Sequence, residues 1–263
     1  MLVLIKGAGD LATGAAVRLY RAGIPVVMTE VAQPTAVRRT VAFSQCMYDG
    51  AAQVEGISAR RAEDAGAARR ALERGEVPVL CDPAAAILGE LPFDGVVDAI
   101  LAKRNLGTAI TDAPVVLALG PGFTAGVDCH GVVETMRGHN LGRLLTQGSA
   151  APNTGVPGDV GGYTTQRIIR AGRDGIFRPV AHIGDTVSEG DVVATVDGEP
   201  VYALMPGTVR GMLPDGLRVK RGMKSGDIDP RCEYDHCFTI SDKARAIGGG
   251  VLEGLLYFRN RQR

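Results

Sequence analysis

LVLIKGAGDLATGAAVRLYRAGIPVVMTE, residues 2–30, decides how the N-terminal region is read. Residues 2–6 are an apolar run closed by Lys6, the pattern of a strand buried on both faces. Gly7-Ala8-Gly9 breaks it. Over 10–22 the apolar positions Leu11, Ala15, Leu19 and Ala22 recur at spacings of three and four, which predicts a helix. Gly23 ends that helix, and PVVMTE restarts a strand that closes on Glu30. Strand, glycine turn, helix and strand within about 30 residues make a βαβ unit.

Gly7-Ala8-Gly9-Asp10-Leu11-Ala12 is a GxGxxA pattern in that context. Gly7 permits the turn, Gly9 admits a phosphate to the amides of Asp10 and Leu11, and Ala12 allows close helix–strand packing. Glu30 stands 23 residues beyond Gly7, where an acid takes a ribose hydroxyl pair, and it favours NAD over NADP. Asp10 argues the other way, because a carboxylate in the first turn competes with an anion. A nucleotide site and a Rossmann-like scaffold without nucleotide both stay open.

Working outward, residues 63–74 predict a second helix, and 77–80, 95–101 and 115–119 predict apolar strands. Alternating helices and strands imply a parallel sheet. Residues 33–53, with a basic pair at Arg38-Arg39, show no clean period. Ligands of such sheets gather beyond the carboxyl ends of strands. Lys103-Arg104-Asn105, followed by Thr108, Thr111 and Asp112, suits phosphate or carboxylate groups, or else a solvated loop. Gly120-Pro121-Gly122-Phe123 is a second glycine turn, with Asp128, His130, Glu134 and His139 just after it. Asp128 and His130 are the candidates for proton transfer or ligation; structural hydrogen bonding is the plainer reading.

GSAAPNTGVPGDVGG, 148–162, is too long for an ordinary connection and marks a functional loop or a boundary. From 175 to 231 the helical period vanishes and short alternating runs lie between glycine turns. Ile183, Val187, Gly190, Asp191 and Val192 recur 36 residues later as Val219, Met223, Gly226, Asp227 and Ile228. IGDTVSEGDVVATV and ALMPGTVRGML resemble the barrel-sandwich of lipoyl and biotinyl carriers. A carrier needs a lysine at its hairpin tip, and residues 197–201 have none, so covalent carriage is not expected. Residues 241–259 predict a helix capped by Ser241. The triplet Gly248-Gly249-Gly250 weakens it and implies close approach of a backbone or a ligand. Cys232, His236 and Cys237 offer three soft ligands without the second pair of a zinc site, so no metal is expected.

The fold expected is α/β. It comprises a Rossmann-like parallel-sheet nucleotide-binding domain over 1–172, a small all-β lipoyl/biotinyl-like, unmodified barrel-sandwich over 173–231, and a C-terminal helical segment over 232–263 returning to the first domain. Across 263 residues, 29 Lys plus Arg balance 29 Asp plus Glu, which excludes a nucleic-acid binder held by a basic surface. Hydrophobic residues at 45% exclude wholesale disorder. No apolar run reaches the ~20 residues of a membrane span. With no secretory pattern at the N-terminus and five scattered cysteines, a reduced cytoplasmic setting is expected.

The longer strings IKGAGDLATG, PVVMTE with AQPTAVRRTVAFS, DAILAKRNLGT, LGPGFTAGVDCHGVVETMRGH, PNTG and CFTISDKARAIGGGVLE resemble the YqeB-type accessory proteins of the selenium-dependent molybdenum hydroxylase system. The N-terminal part also resembles the nucleotide-binding domains of XdhC-type molybdenum-enzyme chaperones and of siroheme-pathway dehydrogenases. The resemblance implies maturation or service of molybdenum hydroxylases, with the hydroxylase or its maturation proteins as partners. A nucleotide, NAD(P) or molybdenum cofactor is the implied small-molecule ligand. No catalytic assignment comes with it, and whether the chain is an enzyme stays open, as does homo-oligomerisation. In that reading Gly7, Gly9, Asp10, Leu11, Ala12 and Glu30 hold a pyrophosphate and ribose. Lys103, Arg104 and Asn105 hold a second anion, and Gly120, Gly122 and Phe123, with Asp128 and His130, face the reactive end. An NAD-dependent oxidoreductase and a non-catalytic scaffold for a client enzyme are the alternatives.

Overall fold

The computed structural model describes residues 1–261, so the last two residues of the expected 232–263 segment lie outside the described residues. The chain divides into two units. The first takes Met1–Pro34, Ala42–Thr154 and the segment from Ile240; the second takes Thr35–Val41 and Gly155–Thr239. The glycine- and proline-rich stretch 148–162 therefore runs across the division.

In the first unit β1 (Val3–Lys6), α1 (Asp10–Arg21) and β2 (Val26–Glu30) follow one another. The apolar stripe of α1 is buried, with Leu11, Ala15 and Leu19 in the core. A short α2 (Cys46–Asp49) leads to the hairpin β3 (Ala51–Val54) and β4 (Ile57–Ala62). Next comes α3 (Ala65–Glu73), capped by Asp64, whose carboxylate accepts from the Ala67 amide. After it come β5 (Val77–Cys81), β6 (Gly95–Asp98), β7 (Val115–Leu119), β8 (Gly131–Val133) and β9 (Leu144–Leu145). These make one nine-stranded sheet ordered β3-β4-β5-β2-β1-β6-β7-β8-β9. The sheet is mixed, since β3 and β9 lie antiparallel at its two edges.

The second unit holds β10 (Ile168–Arg170), β11 (Gly175–Pro179), β12 (Thr186–Val187), β13 (Val192–Val196), β14 (Glu199–Tyr202), β15 (Gly207–Met212), β16 (Arg218–Val219) and β17 (Lys224–Asp229). They form two antiparallel sheets, β10-β17-β15-β12 and β14-β13-β11-β16. A shared core of Phe177, Val193, Met205, Met212, Leu213 and Ile228 lies in this unit.

This architecture corrects the expected fold class. A doubly wound nucleotide fold joins its parallel strands by helices on both faces. Here β5 to β6, β6 to β7 and β7 to β8 are joined without α-helices, and both sheet edges are antiparallel. The second unit shows no clear lipoyl-like barrel either: it is two separate four-stranded antiparallel sheets with β10, β12, β14 and β16 at their edges. The 36-residue echo also separates in role. Asp191 closes a turn by accepting from the Ser188 amide, whereas Asp227 is buried between Arg167 and Arg210. The basic pair Arg38-Arg39 is engaged with backbone carbonyls. Arg38 is buried and donates to the carbonyls of His236 and Thr239, and Arg39 donates to that of Met212.

The glycine triplet belongs to α4 (Asp242–Arg261), whose first turn is capped by the Ser241 hydroxyl accepting from the Ala244 amide. A Cβ on Gly248 would come within 2.8 Å of the Gly14 carbonyl oxygen, and one on Gly250 would meet that of Gly142. What approaches these glycines is backbone, not ligand: α4 rides directly on α1 and on the 142 turn. No helix among the described residues is long and apolar enough to cross a membrane.

Candidate functional site

The parallel strands of the first unit end together at one edge, β1 at Lys6, β2 at Glu30, β6 at Asp98 and β7 at Leu119. Two segments leave that edge side by side: the glycine turn 7–9 after β1 and the loop 99–114 after β6.

The glycine turn is occupied by the protein itself. Gly7 has φ +93°, and a Cβ there would lie 2.9 Å from the Ala99 carbonyl oxygen, so glycine is required by the neighbouring loop. The Ala8 amide donates to Glu30 Oε2 at 2.8 Å, and the Val31 amide to Oε1 at 2.8 Å. The Ala8 carbonyl accepts from the Ser44 amide and the Thr13 hydroxyl, while Leu11 and Ala12 are buried. Burial pushes the Glu30 carboxyl above its ordinary value, and its two amide hydrogen bonds offset only part of that. A carboxylate thus stands on the Ala8 amide, each of its oxygens accepting one backbone N–H. The expectation of a Rossmann NAD site is corrected: the sheet is not doubly wound, and Glu30 is held by the turn's own amides.

The loop after β6 is built differently. Asp98, 2% exposed, accepts from the Thr108 hydroxyl at 2.6 Å and from the Ile100 amide at 3.1 Å. Lys6 Nζ donates to the same hydroxyl at 2.7 Å and lies 3.9 Å from Asp112. Thr108 thus pins the far end of the loop between the ends of β1 and β6. Asn105 Oδ1 accepts from the amides of Gly107 and Thr108, and its Nδ2 donates to the Thr108 carbonyl, so Asn105 shapes the turn and is not left for a ligand. Leu101 (φ 60°) and Lys103 (φ 63°) both hold left-handed backbone. Such strain costs on the order of 1–3 kcal/mol each and concentrates at functional segments. Lys103 and Arg104 point this loop's charge outward: both are exposed, and among the described residues neither makes an ion pair.

Gly122 supports that loop from the end of β7. It has φ +109°, and a Cβ there would sit 2.6 Å from the Arg104 amide nitrogen. Gly120, at φ +73°, would strike the Thr135 hydroxyl in the same way. Phe123 is a core residue. The structure therefore brings Lys103, Arg104, Gly120 and Gly122 to one edge and places Asp128 and His130 elsewhere. Asp128 accepts from the Thr124 amide within its own turn. His130 precedes β8 at its amino end, where Nδ1 accepts from the Val116 amide at 2.9 Å; burial lowers its pKa. Glu134, beyond the other end of β8, accepts from the amides of Thr135, Met136 and Ala151. None of the three is turned toward another for proton transfer.

Sequence reading missed Lys6 and Asp98. The available signal was a charged residue closing an otherwise apolar buried strand, which demands a partner. Three of the five thiols are quiet. Burial pushes Cys46 and Cys129 up to about 12 and raises Cys237 as well. Cys237 is buried with Sγ on the Val209 carbonyl, and Cys232 is exposed with Sγ on that of Pro230. Among the described residues no three His, Cys, Asp or Glu side chains cluster as metal ligands.

No family model matches the chain. A solved aspartoacylase family protein from Mesorhizobium loti aligns with 86% of this chain and 84% of its own, at 14% identity and a TM-score of 0.29. A succinylglutamate desuccinylase from Silicibacter sp. TM1040 aligns over the same shares at 15% identity and a TM-score of 0.25. In sequence, 255 residues, 97% of the chain, are 55% identical to the uncharacterized protein YqeB of Escherichia coli strain K12. The chain spans 47% of that protein's length, and is thus similar, nearly end to end, to about half of YqeB.

Proposed function

We propose that the chain is an accessory protein that takes an anionic ligand, a phosphate- or carboxylate-bearing small molecule such as a nucleotide, on the loop after β6. The observation that carries this reading is the pair Lys103 and Arg104. Two exposed cations, without ion-pair partners among the described residues, stand on backbone held in left-handed strain at Leu101 and Lys103, with Gly122 beneath and the Lys6–Thr108–Asp98 contact behind. Two cations on adjacent exposed residues can both pair with one anion. Each exposed pair contributes only about 0.2–1 kcal/mol, so the affinity expected is modest and strongly weakened by salt.

The client we propose is a selenium-dependent molybdenum hydroxylase or one of its maturation proteins. This part rests on the family resemblance of the sequence; kinship with YqeB supports the resemblance and assigns no activity.

The test is thermal unfolding at low salt with ATP as the probe. Saturation at 100 times Kd stabilises the folded state by about 2.7 kcal/mol. The Lys103→Ala/Arg104→Ala protein should unfold at the wild-type temperature without ATP and gain nothing with it. An undiminished gain in the double variant would remove this loop from the account. Co-elution of a hydroxylase subunit with the wild-type chain tests the client, and its failure leaves the ligand result standing on its own.

A further inference from the structure

In the second unit, β10 and β14 each end a sheet, and together they bound a cleft of about 470 Å³. That volume falls within the range of ordinary small-molecule sites. Its floor includes Ile168 and Val201, both buried. Along β14 and just past it, Val201, Ala203 and Met205 turn inward while Pro200, Tyr202 and Leu204 face out, Tyr202 49% and Leu204 58% exposed. Edge strands ordinarily show charge to water. This one shows three apolar groups in succession, all lining the cleft.

Among the described residues the single charged side chain lining it is Arg170, whose Nη1 donates to the Gly222 carbonyl at 2.8 Å, anchoring one end of the guanidinium. The pairing of β10 with β17 shifts register between Ile169 and Arg170, and that of β13 with β14 shifts between Val192 and Ala194, beside Tyr202. Such bulges re-aim side chains and recur beside binding sites. Pro200 also withholds a backbone donor from the edge, which disfavours an added polypeptide strand.

We propose that this cleft binds an amphiphilic organic anion, its flat apolar body against Tyr202 and Leu204 and its carboxylate, sulfonate or phosphate on Arg170. The site is independent of the loop after β6.

The experiment titrates the whole chain with two fluorescent probes, 1-anilinonaphthalene-8-sulfonate and the uncharged N-phenyl-1-naphthylamine. Both should show saturable enhancement at a single site. Arg170→Gln should weaken the sulfonate about fivefold, the scale of an exposed charge pair, and leave the neutral probe within error. Tyr202→Ala should weaken both by about fivefold, the scale of an aromatic contact. Leu204→Ser replaces it if the tyrosine variant melts early. Absence of saturable binding overturns the proposal, as does an Arg170→Gln protein that treats both probes alike.

Discussion

The glycine turn after β1 and the loop after β6 leave neighbouring strands at the same sheet edge, yet they handle charge in opposite ways. At the turn a carboxylate, Glu30, is folded inward and each of its oxygens accepts one amide, from Ala8 and Val31. On the loop two cations are turned outward, and the polar groups beneath them, Asp98, Thr108 and Lys6, satisfy one another. A glycine pattern is a statement about backbone space, and here the space is filled by the Ala99 carbonyl. In the proposed reading the anion goes to the exposed cations of the loop, not to the turn whose motif is familiar.

The most damaging way to break the contrast is at Gly122. Gly122→Ala forces a side chain into left-handed backbone against the Arg104 amide, and strain and overpacking together should cost roughly 4 kcal/mol. Urea unfolding would read that loss, and ATP binding should vanish with it. Asp98→Ala should come next. It leaves the Thr108 hydroxyl and the Ile100 amide without their buried acceptor, a loss of about 2–3 kcal/mol in the same assay. The glycine turn should remain intact, because none of its hydrogen bonds uses Asp98.

Glu30→Gln sharpens the comparison through pH. A carboxyl whose folded pKa is raised above its ordinary 4.5 binds its proton more tightly when folded. The stability it contributes is present below that value and is lost as pH rises through the folded pKa. The stability of Glu30→Gln relative to wild type should therefore grow as pH rises from about 4.5 and then level off. The difference between the two proteins is the quantity to follow, because Asp227 and Asp229 bend the wild-type curve the other way. Despite burial, Lys224, Arg210 and Arg167 hold Asp227 below its ordinary value, and hydrogen bonds from Arg231 do the same for Asp229. Their contribution is present above 3.8 and disappears as pH falls through the lower folded values. The smallest effect belongs to Lys103→Ala/Arg104→Ala, which should change stability by less than about 0.5 kcal/mol, as surface substitutions do.

The local pieces were legible. Residues 2–30 follow their periods into β1, α1 and β2, and Ser241 caps α4, because each depends on neighbours a few positions away. What joins distant residues was not. Thr108 meets Lys6 across 102 positions, and nothing in either neighbourhood names the other. β4 hid behind Arg60 and Arg61, which face water from a strand near the sheet's edge. The motif at Gly7 read as phosphate binding because a sequence does not say which side chain will fill a turn. At Lys103-Arg104-Asn105 it supplied the charge, but not that asparagine would serve the backbone while lysine and arginine stayed outside.

Mapping backbone amide chemical shifts during titration with inorganic pyrophosphate tests the contrast most directly. The account predicts saturable shifts in residues 102–107 and at Gly122 and Phe123, with Ala8, Gly9, Asp10 and Leu11 unmoved. Saturable shifts at Gly9, Asp10 and Leu11 with the loop silent would contradict it.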